Sequence, residues 1–212
     1  ADAGEEETPT SVQTMLTRLS RPQEDVRTGI YAEEVSPPDS SLIEELADAP
    51  LILRRISDRD PFLEVRFTAA VDTVDADLIG RLEGLAQQIA WFDLSNKVVP
   101  AAALEALGQF PHLTRLYLQG AQLGESGLQA LANCTFLEYV NLVGSNVSDE
   151  GLAYLSGLEN LETIYLWKTR VTDTGVDSLR ARISGLEVNR GATFVVRDTT
   201  AVDTVRTDTV TS

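Results

Sequence analysis

Residues 161–179 read LETIYLWKTRVTDTGVDSL, and the chain repeats this pattern of apolar residues at intervals of 24 residues. Each of four copies begins with an apolar residue and has further apolar residues three and five places later. These residues are Ile89, Phe92 and Leu94; Leu113, Leu116 and Leu118; Leu137, Val140 and Leu142; and Leu161, Ile164 and Leu166. A fixed period near two dozen residues predicts a protein made of stacked structural repeats.

Each repeat is expected to contain one strand and one short helix. The second and third apolar residues are two places apart, which is the period of a β-strand, so both should point to the same side. A turn into a helix is predicted next, in segments such as VSDEGL and VTDTGV. The candidate N-caps of these helices are Ser148, Asp149, Thr172 and Asp173.

A unit this short cannot bury its own apolar side, so several must stack to form one core. The L-x-x-L-x-L opening is typical of leucine-rich repeats. The predicted fold is therefore α/β: a right-handed leucine-rich-repeat solenoid with parallel strands on the concave face, short helices on the convex face and an N-terminal helix/strand cap. Gly127, Gly151 and Gly175 recur at one position, where a side chain is expected to crowd the neighbouring coil.

The fourth repeat resembles the bacterial leucine-rich repeats of the L-x-x-T-x-V-T-D-x-G-L type, and the resemblance covers roughly residues 40–191. In that family such repeats often form the C-terminal part of long exported proteins, after a membrane region and a c-type cytochrome domain. The resemblance implies a membrane-associated location on the periplasmic or extracellular side; the alternative is the cytoplasm. No C-x-x-C-H motif occurs in this chain, so no haem site is carried over.

The N-terminal part of the chain divides into two regions. Residues 1–38 are predicted to contain an acidic tail, a short amphipathic helix and a polar linker. That helix either packs on the domain or docks onto an upstream part; its apolar residues are Val12, Met15, Leu16 and Leu19. Residues 39–88 are expected to form a cap with one degenerate repeat. The cap begins with a helix from Asp39 to Ala49 that has a Ser41/Glu44 capping box, and strands follow at 51–56 and 62–67.

The repeat region is predicted to span residues 89–191. Its repeats are 89–112, 113–136, 137–160 and 161–185, and a final strand lies in 186–191. Residues 192–212 are rich in Thr, Asp and Val, and this low complexity favours a solvated C-terminal tail.

The net charge of −16 argues against a nucleic-acid partner, because such partners require a basic surface. Only two of the 17 basic residues are lysines. High acidity with scarce lysine suggests a salt-adapted source or, equally, an ordinary acidic surface. No run of 18 apolar residues is present, so no membrane span is expected. The chain starts with Ala and shows no signal peptide, and we interpret it as a processed or excised piece.

Most catalytic and cofactor motifs are absent from the sequence, so no enzyme, no cofactor and no metal site are predicted. The single histidine, His112, is expected at the surface. The single cysteine, Cys134, takes the position that Phe110 and Leu158 hold in other repeats, which predicts a buried and unreactive thiol. Asp149, Glu150 and Asp173 could bind calcium, but helix capping explains them more simply.

The concave face is the predicted binding surface, because five of its twelve outward strand positions hold Trp or Tyr while the whole chain is 6% aromatic. Aromatic residues also suit parallel strands, so a purely structural role is the alternative. The predicted partner-binding residues are Trp91, Asp93, Arg115, Tyr117, Gln119, Tyr139, Asn141, Tyr165 and Trp167.

Two functions are compatible with these features. The first is a non-enzymatic interaction or scaffold module that binds a protein partner, or another domain of the same assembly, on the aromatic concave face. The second, which the resemblance implies, is an accessory domain or subunit of an exported, membrane-anchored cytochrome or electron-transfer assembly. In that case membrane association would come from an upstream region or from a partner.

Overall fold

The computed structural model of the chain describes residues 34–123 and 127–191. The predicted acidic tail, the amphipathic helix around Met15, most of the linker and the C-terminal tail lie outside these residues. No helix in the described ranges is long and apolar enough to cross a membrane.

The described residues form short strands and helices that alternate along the chain. The strands are β1 (Leu51–Arg55), β2 (Leu63–Phe67), β3 (Ile89–Asp93), β4 (Val98–Val99), β5 (Arg115–Tyr117), β6 (Gln122–Leu123), β7 (Tyr139–Asn141), β8 (Thr163–Tyr165) and β9 (Glu187–Asn189). The α-helices are α1 (Ser40–Glu45), α2 (Ala76–Gly80), α3 (Ala101–Ala106), α4 (Asp149–Ala153) and α5 (Asp173–Arg180). Short 3-10 helices cover Glu83–Leu85, Leu107–Gln109, Gly127–Asn133 and Tyr154–Gly157.

The main sheet has the strand order β1-β2-β3-β5-β7-β8-β9 among the described residues. β1 and β2 are antiparallel, and every later pair is parallel. The register of the parallel pairs shifts once between β2 and β3 and is constant from β3 to β8, so that Phe92, Leu116, Val140 and Ile164 are neighbours across the sheet. All four side chains are fully buried. This is the parallel-strand sheet with short connecting helices that the 24-residue period predicts, and it is the architecture of a leucine-rich-repeat solenoid.

The core runs through all repeats without a break. Leu142, directly after β7, belongs to the same buried cluster as the helix residues Leu152 and Leu155, and each is at most 1% exposed. Because each repeat contributes only a few apolar residues, its stability depends on the repeats on either side.

The first helix differs from its prediction at both ends. α1 ends at Glu45, and its N-cap is Asp39, whose carboxylate accepts a hydrogen bond from the backbone N–H of Ser41 at 2.9 Å. The expected capping box of Ser41 and Glu44 is therefore wrong. Asp39 takes the role because its oxygen reaches the free N–H groups of the first turn.

The recurring glycines fit their prediction at two of three positions. A Cβ atom on Gly127 would lie 2.9 Å from Cδ1 of Leu104 in the preceding repeat, and one on Gly175 would meet the carboxylate of Asp149. At Gly151 the nearest atoms would be 3.6 Å away, which is ordinary contact, so crowding does not explain that glycine.

His112 is buried, and the expectation of a surface histidine is wrong. Its side chain is 5% exposed, and Nδ1 lies 2.7 Å from the carbonyl oxygen of Gln87. The ring packs edge-on to Phe62, with centroids 5.7 Å apart, and tilted against Phe136 at 6.4 Å. Phe62 belongs to the cap and Phe136 to the next repeat, and the two rings help to shield the imidazole from water.

Candidate binding face on the strands

The strands place two rows of side chains on the side of the sheet that faces away from the core, which we call the concave face. The first row is Glu64, Trp91, Arg115, Tyr139, Thr163 and Glu187. The second row is Arg66, Asp93, Tyr117, Asn141, Tyr165 and Asn189. Neighbours within a row are about 4.8 Å apart because that is the spacing of paired strands.

Three tyrosines in the middle of this face form what we call the tyrosine cluster: Tyr117, Tyr139 and Tyr165. Tyr139 belongs to the first row and the other two to the second, so its ring lies diagonally between theirs. The ring centroids are 5.2 Å apart for Tyr117 and Tyr139 and 5.5 Å apart for Tyr139 and Tyr165, both at 45°. Burial, followed by the two neighbouring phenols, raises the pKa of Tyr139. The cluster is thus a continuous, half-buried aromatic surface.

Arg115 lies between two aromatic rings of the first row. Its guanidinium carbon is 4.9 Å from the ring centroid of Trp91 and 5.5 Å from that of Tyr139. Both distances are in the range of cation–π attraction. The two rings therefore hold the guanidinium group between them.

Several ion-paired side chains lie at the N-terminal end of the face. The carboxylate of Glu64 is buried and lies 2.8 Å from Nε of Arg54. Arg66 lies 3.0 Å from the carboxylate of Asp93 and 3.9 Å from that of Glu64. Asp93 is therefore held by a neighbour in its own row. The alternation in LEVRF indicates that Glu64 and Arg66 point outwards, but the predicted set of binding residues omits both.

Trp91 is less accessible than the sequence indicates. It is half-buried and packs in a second apolar cluster with Val35, Phe62 and Phe136. Its indole N–H is buried without a hydrogen-bond acceptor among the described residues. We attribute the burial of Trp91 to the segment before α1, because Val35 of that segment packs in the same cluster at one edge of the face.

Trp167 lies two residues after the end of β8, in the last complete repeat. It is 47% exposed, and the ammonium group of Lys168 lies 4.4 Å from its ring centroid. Gly191 follows β9 and lies against this ring, since a Cβ atom at Gly191 would overlap the indole. Trp167 is the most exposed aromatic side chain of the face.

Two glutamates lie near the start of the strands. Glu138 directly precedes β7, and Glu162 occupies the equivalent place before β8. Burial and then the negative charge of Glu162 raise the pKa of Glu138, while Arg115 acts in the opposite direction. This pair was not predicted as part of the site; the matching E-Y and E-T dipeptides at the heads of the two repeats are the signal that could have identified it.

The remaining predicted residues have local roles. The side-chain oxygen of Asn141 accepts a hydrogen bond from the backbone N–H of Val143 at 3.1 Å. The side chain of Gln119 is exposed, and its backbone carbonyl accepts a hydrogen bond from Asn96 at 2.8 Å. The structure thus places all nine predicted residues on one side of the sheet or at its edge, but whether they bind a partner stays a prediction.

Two further features bear on chemistry. Within the described ranges no group of three or more His, Cys, Asp or Glu side chains is arranged to hold a metal ion. Cys134 is 4% exposed, and burial raises the pKa of its thiol to about 11. The prediction of a buried thiol is therefore confirmed.

A family model described as leucine-rich repeat matches residues 111–132 and 133–156. No curated protein matches the chain.

Among solved structures, the chain is similar to a leucine-rich-repeat protein of Leptospira interrogans, with 13% identity, 50% of this chain and 27% of that chain covered, and a TM-score of 0.41. It is also similar to the ectodomain of the receptor kinase SOBIR1 from Arabidopsis thaliana, with 15% identity, 74% and 100% coverage and a TM-score of 0.42. Internalin C2 of Listeria monocytogenes is 20% identical over 52% of this chain and 65% of its own, with a TM-score of 0.34. The chain spans about a quarter of the length of the Leptospira protein. The family model covers residues 111–156, and the parallel sheet continues the same solenoid fold on both sides of that match.

Proposed function

We propose that this chain is a non-enzymatic module that holds a protein partner against its concave face. Leucine-rich-repeat domains generally mediate protein–protein interaction and are typically not enzymes. The observation that carries the proposal is the tyrosine cluster, extended by Arg115 and Trp167 across neighbouring strands.

The composition of the face supports a binding role. The cores of protein interfaces are enriched in Tyr, Trp and Arg and depleted in other charged residues. Between Trp91 and Trp167 the outward strand positions carry only two charged side chains, Asp93 and Arg115, which have opposite signs. The whole chain, by contrast, has a net charge of −16. On β3, β5, β7 and β8 these two charges cancel, whereas Glu64 and Glu187 lie at the two ends of the first row.

The arrangement of the rings also favours recognition. Tyrosine and tryptophan offer large contact areas and lose little conformational entropy on binding. In the tyrosine cluster neighbouring rings already restrict one another, so part of that entropy is lost before a partner arrives. Interaction hot spots are rich in such side chains.

The proposal can be tested by comparing matched baits from the organism that makes the chain. The wild type, a Tyr117→Ser/Tyr165→Ser variant and a Tyr154→Ser control are immobilised at equal density. Tyr154 is 42% exposed and lies in the Tyr154–Gly157 helix, away from the strands. A protein that binds the wild type and the control but not the double variant supports the concave face. Equal binding to all three baits excludes it.

The alternative function is an accessory domain or subunit of an exported, membrane-anchored electron-transfer assembly. It is supported by the resemblance of the fourth repeat to bacterial repeats that follow cytochrome domains. That assignment would put the domain on the periplasmic or extracellular side of a membrane, whereas a cytoplasmic location would contradict it. The DNA sequence upstream of this segment tests the idea, because the assembly requires a C-x-x-C-H motif and membrane helices encoded there.

A further inference from the structure

The first described residues of the chain lie at one edge of the concave face. Val35 packs into the apolar cluster that contains Trp91, and the carbonyl oxygen of Ser36 accepts a hydrogen bond from Nε2 of Gln88 at 3.1 Å. Pro38 is buried. These contacts fix the point at which the N-terminal segment joins the domain, and this point is beside the first aromatic residue of the face.

The N-terminal segment carries a short stretch whose chemistry complements the face. Residues 11–22 read SVQTMLTRLSRP, with apolar residues at helical spacing. The stretch contains Arg18 and Arg21 and no acidic residue, in a chain that has 33 acidic and 17 basic residues. The apolar side of such a helix matches a surface of aromatic rings, and a thioether such as that of Met15 makes favourable contacts with ring edges.

The charges along the edge of the face are opposite to those of the stretch. Glu138 and Glu162 lie at the start of neighbouring strands, and Glu187 continues the first row. Arg115 is the one cation among the outward positions of β3, β5, β7 and β8, and two aromatic rings enclose it. Arginine side chains placed along this edge would offset the repulsion between the two glutamates.

The connecting residues are long enough. Eleven residues separate Pro22 from Glu34, and eleven residues can span up to about 36 Å. The distance across the sheet from β3 to β8 is three strand spacings, or about 14 Å. A segment tethered so closely has an effective concentration in the millimolar range, so even weak contacts would keep it bound.

We propose that residues 11–22 of this chain occupy the concave face as an amphipathic helix, with Met15 against the tyrosine cluster and Arg18 and Arg21 towards the glutamates. This inference rests on the proposed function, because it names an occupant of the same face. It makes the N-terminal segment an internal competitor that an external partner must displace.

The sequence provides a direct probe of this contact, because Met15 is the only methionine in the chain. Full-length protein labelled with ¹³C in the methionine methyl group gives one methyl signal. Neighbouring aromatic rings should move this signal upfield from its position in denaturant, and the methyl protons should show cross-relaxation with tyrosine ring protons. A signal at the denatured position in the folded protein would overturn the proposal.

Matched variants identify the rings involved. Tyr139→Ala should return the methyl signal towards its denatured position, whereas Tyr154→Ala should leave it unchanged. If Tyr139→Ala lowers the urea midpoint strongly, Tyr165→Ala takes its place, since that ring lies at the other side of the cluster. The intramolecular contact is contradicted if the methyl signal is unchanged in both cluster variants. It is also contradicted if the signal shifts with protein concentration, because a second copy would then supply the helix.

Charge reversal in the segment tests the second part of the proposal. Arg18→Glu/Arg21→Glu should release Met15 and change the fluorescence of the chain, whose two tryptophans, Trp91 and Trp167, both lie at this face. The same variant should bind an external partner more tightly, by roughly tenfold or more for a competitor at millimolar effective concentration. No change in the methyl signal on charge reversal would overturn the assigned orientation.

The outcomes separate this inference from the proposed function. If Met15 does not contact the cluster but the Tyr117→Ser/Tyr165→Ser bait loses its partner, the inference fails and the proposed function stands. If Met15 contacts the cluster and the double variant still binds its partner normally, the face is an internal docking site and the proposed function fails.

Discussion

The carboxylate of Asp149 joins one repeat to the next by accepting two hydrogen bonds from Thr172. The backbone N–H of Thr172 is 2.7 Å from one carboxylate oxygen, and its hydroxyl group is 2.6 Å from the other. Thr172 is also the N-cap of α5, where its hydroxyl oxygen faces the N–H of Gly175 at 3.4 Å. The two residues therefore connect the start of α4 to the start of α5.

This contact predicts a pH dependence of stability. The hydroxyl group and then the backbone N–H of Thr172 lower the pKa of Asp149 below its ordinary value of 3.8. A group with a lowered folded-state pKa stabilises the fold above its unfolded pKa, and this contribution is lost as the pH falls through the folded value. Asp149→Asn should therefore reduce the free energy of unfolding at pH 7 but have a smaller effect near pH 3.

Urea unfolding at several pH values measures this difference. Asp177→Asn on α5 is the control, because it removes the same charge from an exposed position of the next helix. If both variants show the same pH profile, the bond between Asp149 and Thr172 does not stabilise the contact between repeats.

Two glycines at equivalent positions should respond oppositely to alanine. Gly151→Ala has ordinary contacts and removes flexibility from the unfolded chain, so we expect a gain of about 0.4–1 kcal/mol. In Gly127→Ala the new methyl group would lie 2.9 Å from Cδ1 of Leu104, which is fully buried and cannot move freely. Overpacking of this kind costs about 1–3 kcal/mol. Thermal unfolding of both variants checks the signs, and a stabilised Gly127→Ala would show that the repeats separate easily at this point.

Cys134 should react slowly with thiol reagents in the folded protein. Its side chain is 4% exposed and its pKa is raised to about 11, so both access and thiolate formation are restricted. Labelling with a chromogenic disulfide in native buffer should be much slower than in denaturant. Fast labelling without denaturant would mean that the repeat containing Cys134 opens locally.

The acidity of the chain predicts a response to salt. At a net charge of −16 the folded state carries self-repulsion, to which pairs such as Glu138 and Glu162 contribute. Dissolved ions screen these charges, so the melting temperature should rise from low salt to molar potassium chloride. A melting temperature that stays constant or falls with added salt would indicate that the acidity is an ordinary surface property rather than a salt adaptation.

The sequence predicts the fold well because a 24-residue period carries long-range information. Once Phe92, Leu116, Val140 and Ile164 are recognised as equivalent, their positions in adjacent parallel strands follow. The same equivalence places Tyr117 and Tyr165 in one row of the sheet and Tyr139 in the other.

Features formed between distant segments could not be read from the repeat pattern. His112 is expected at the surface, but its environment contains Phe62 from the cap and Phe136 from the next repeat. Trp91 occupies an outward strand position and is nevertheless half-buried, because Val35 from the segment before α1 packs into the same cluster. In both cases the repeat pattern gives the direction of the side chain but not what covers it.

The last prediction distinguishes the two sides of the sheet. Leu142 is fully buried in the core, and Leu142→Ala should lower the free energy of unfolding by roughly 2–5 kcal/mol. Tyr165 is half-buried and Trp167 is 47% exposed, both on the side that faces away from the core. Tyr165→Ala and Trp167→Ala should therefore lower stability much less than Leu142→Ala, as measured by urea unfolding.

The same two variants should lower partner affinity by on the order of 2 kcal/mol or more if this face is the binding site, because truncated aromatic hot spots have effects of that size. Isothermal titration with the captured partner measures the loss, and Tyr154→Ala should show none. If Tyr165→Ala and Trp167→Ala unfold the domain as readily as Leu142→Ala does, the faces of the sheet have been assigned the wrong way round. If both fold well and bind the partner normally, the aromatic face is structural, and the binding site lies on the helices or in the terminal segments.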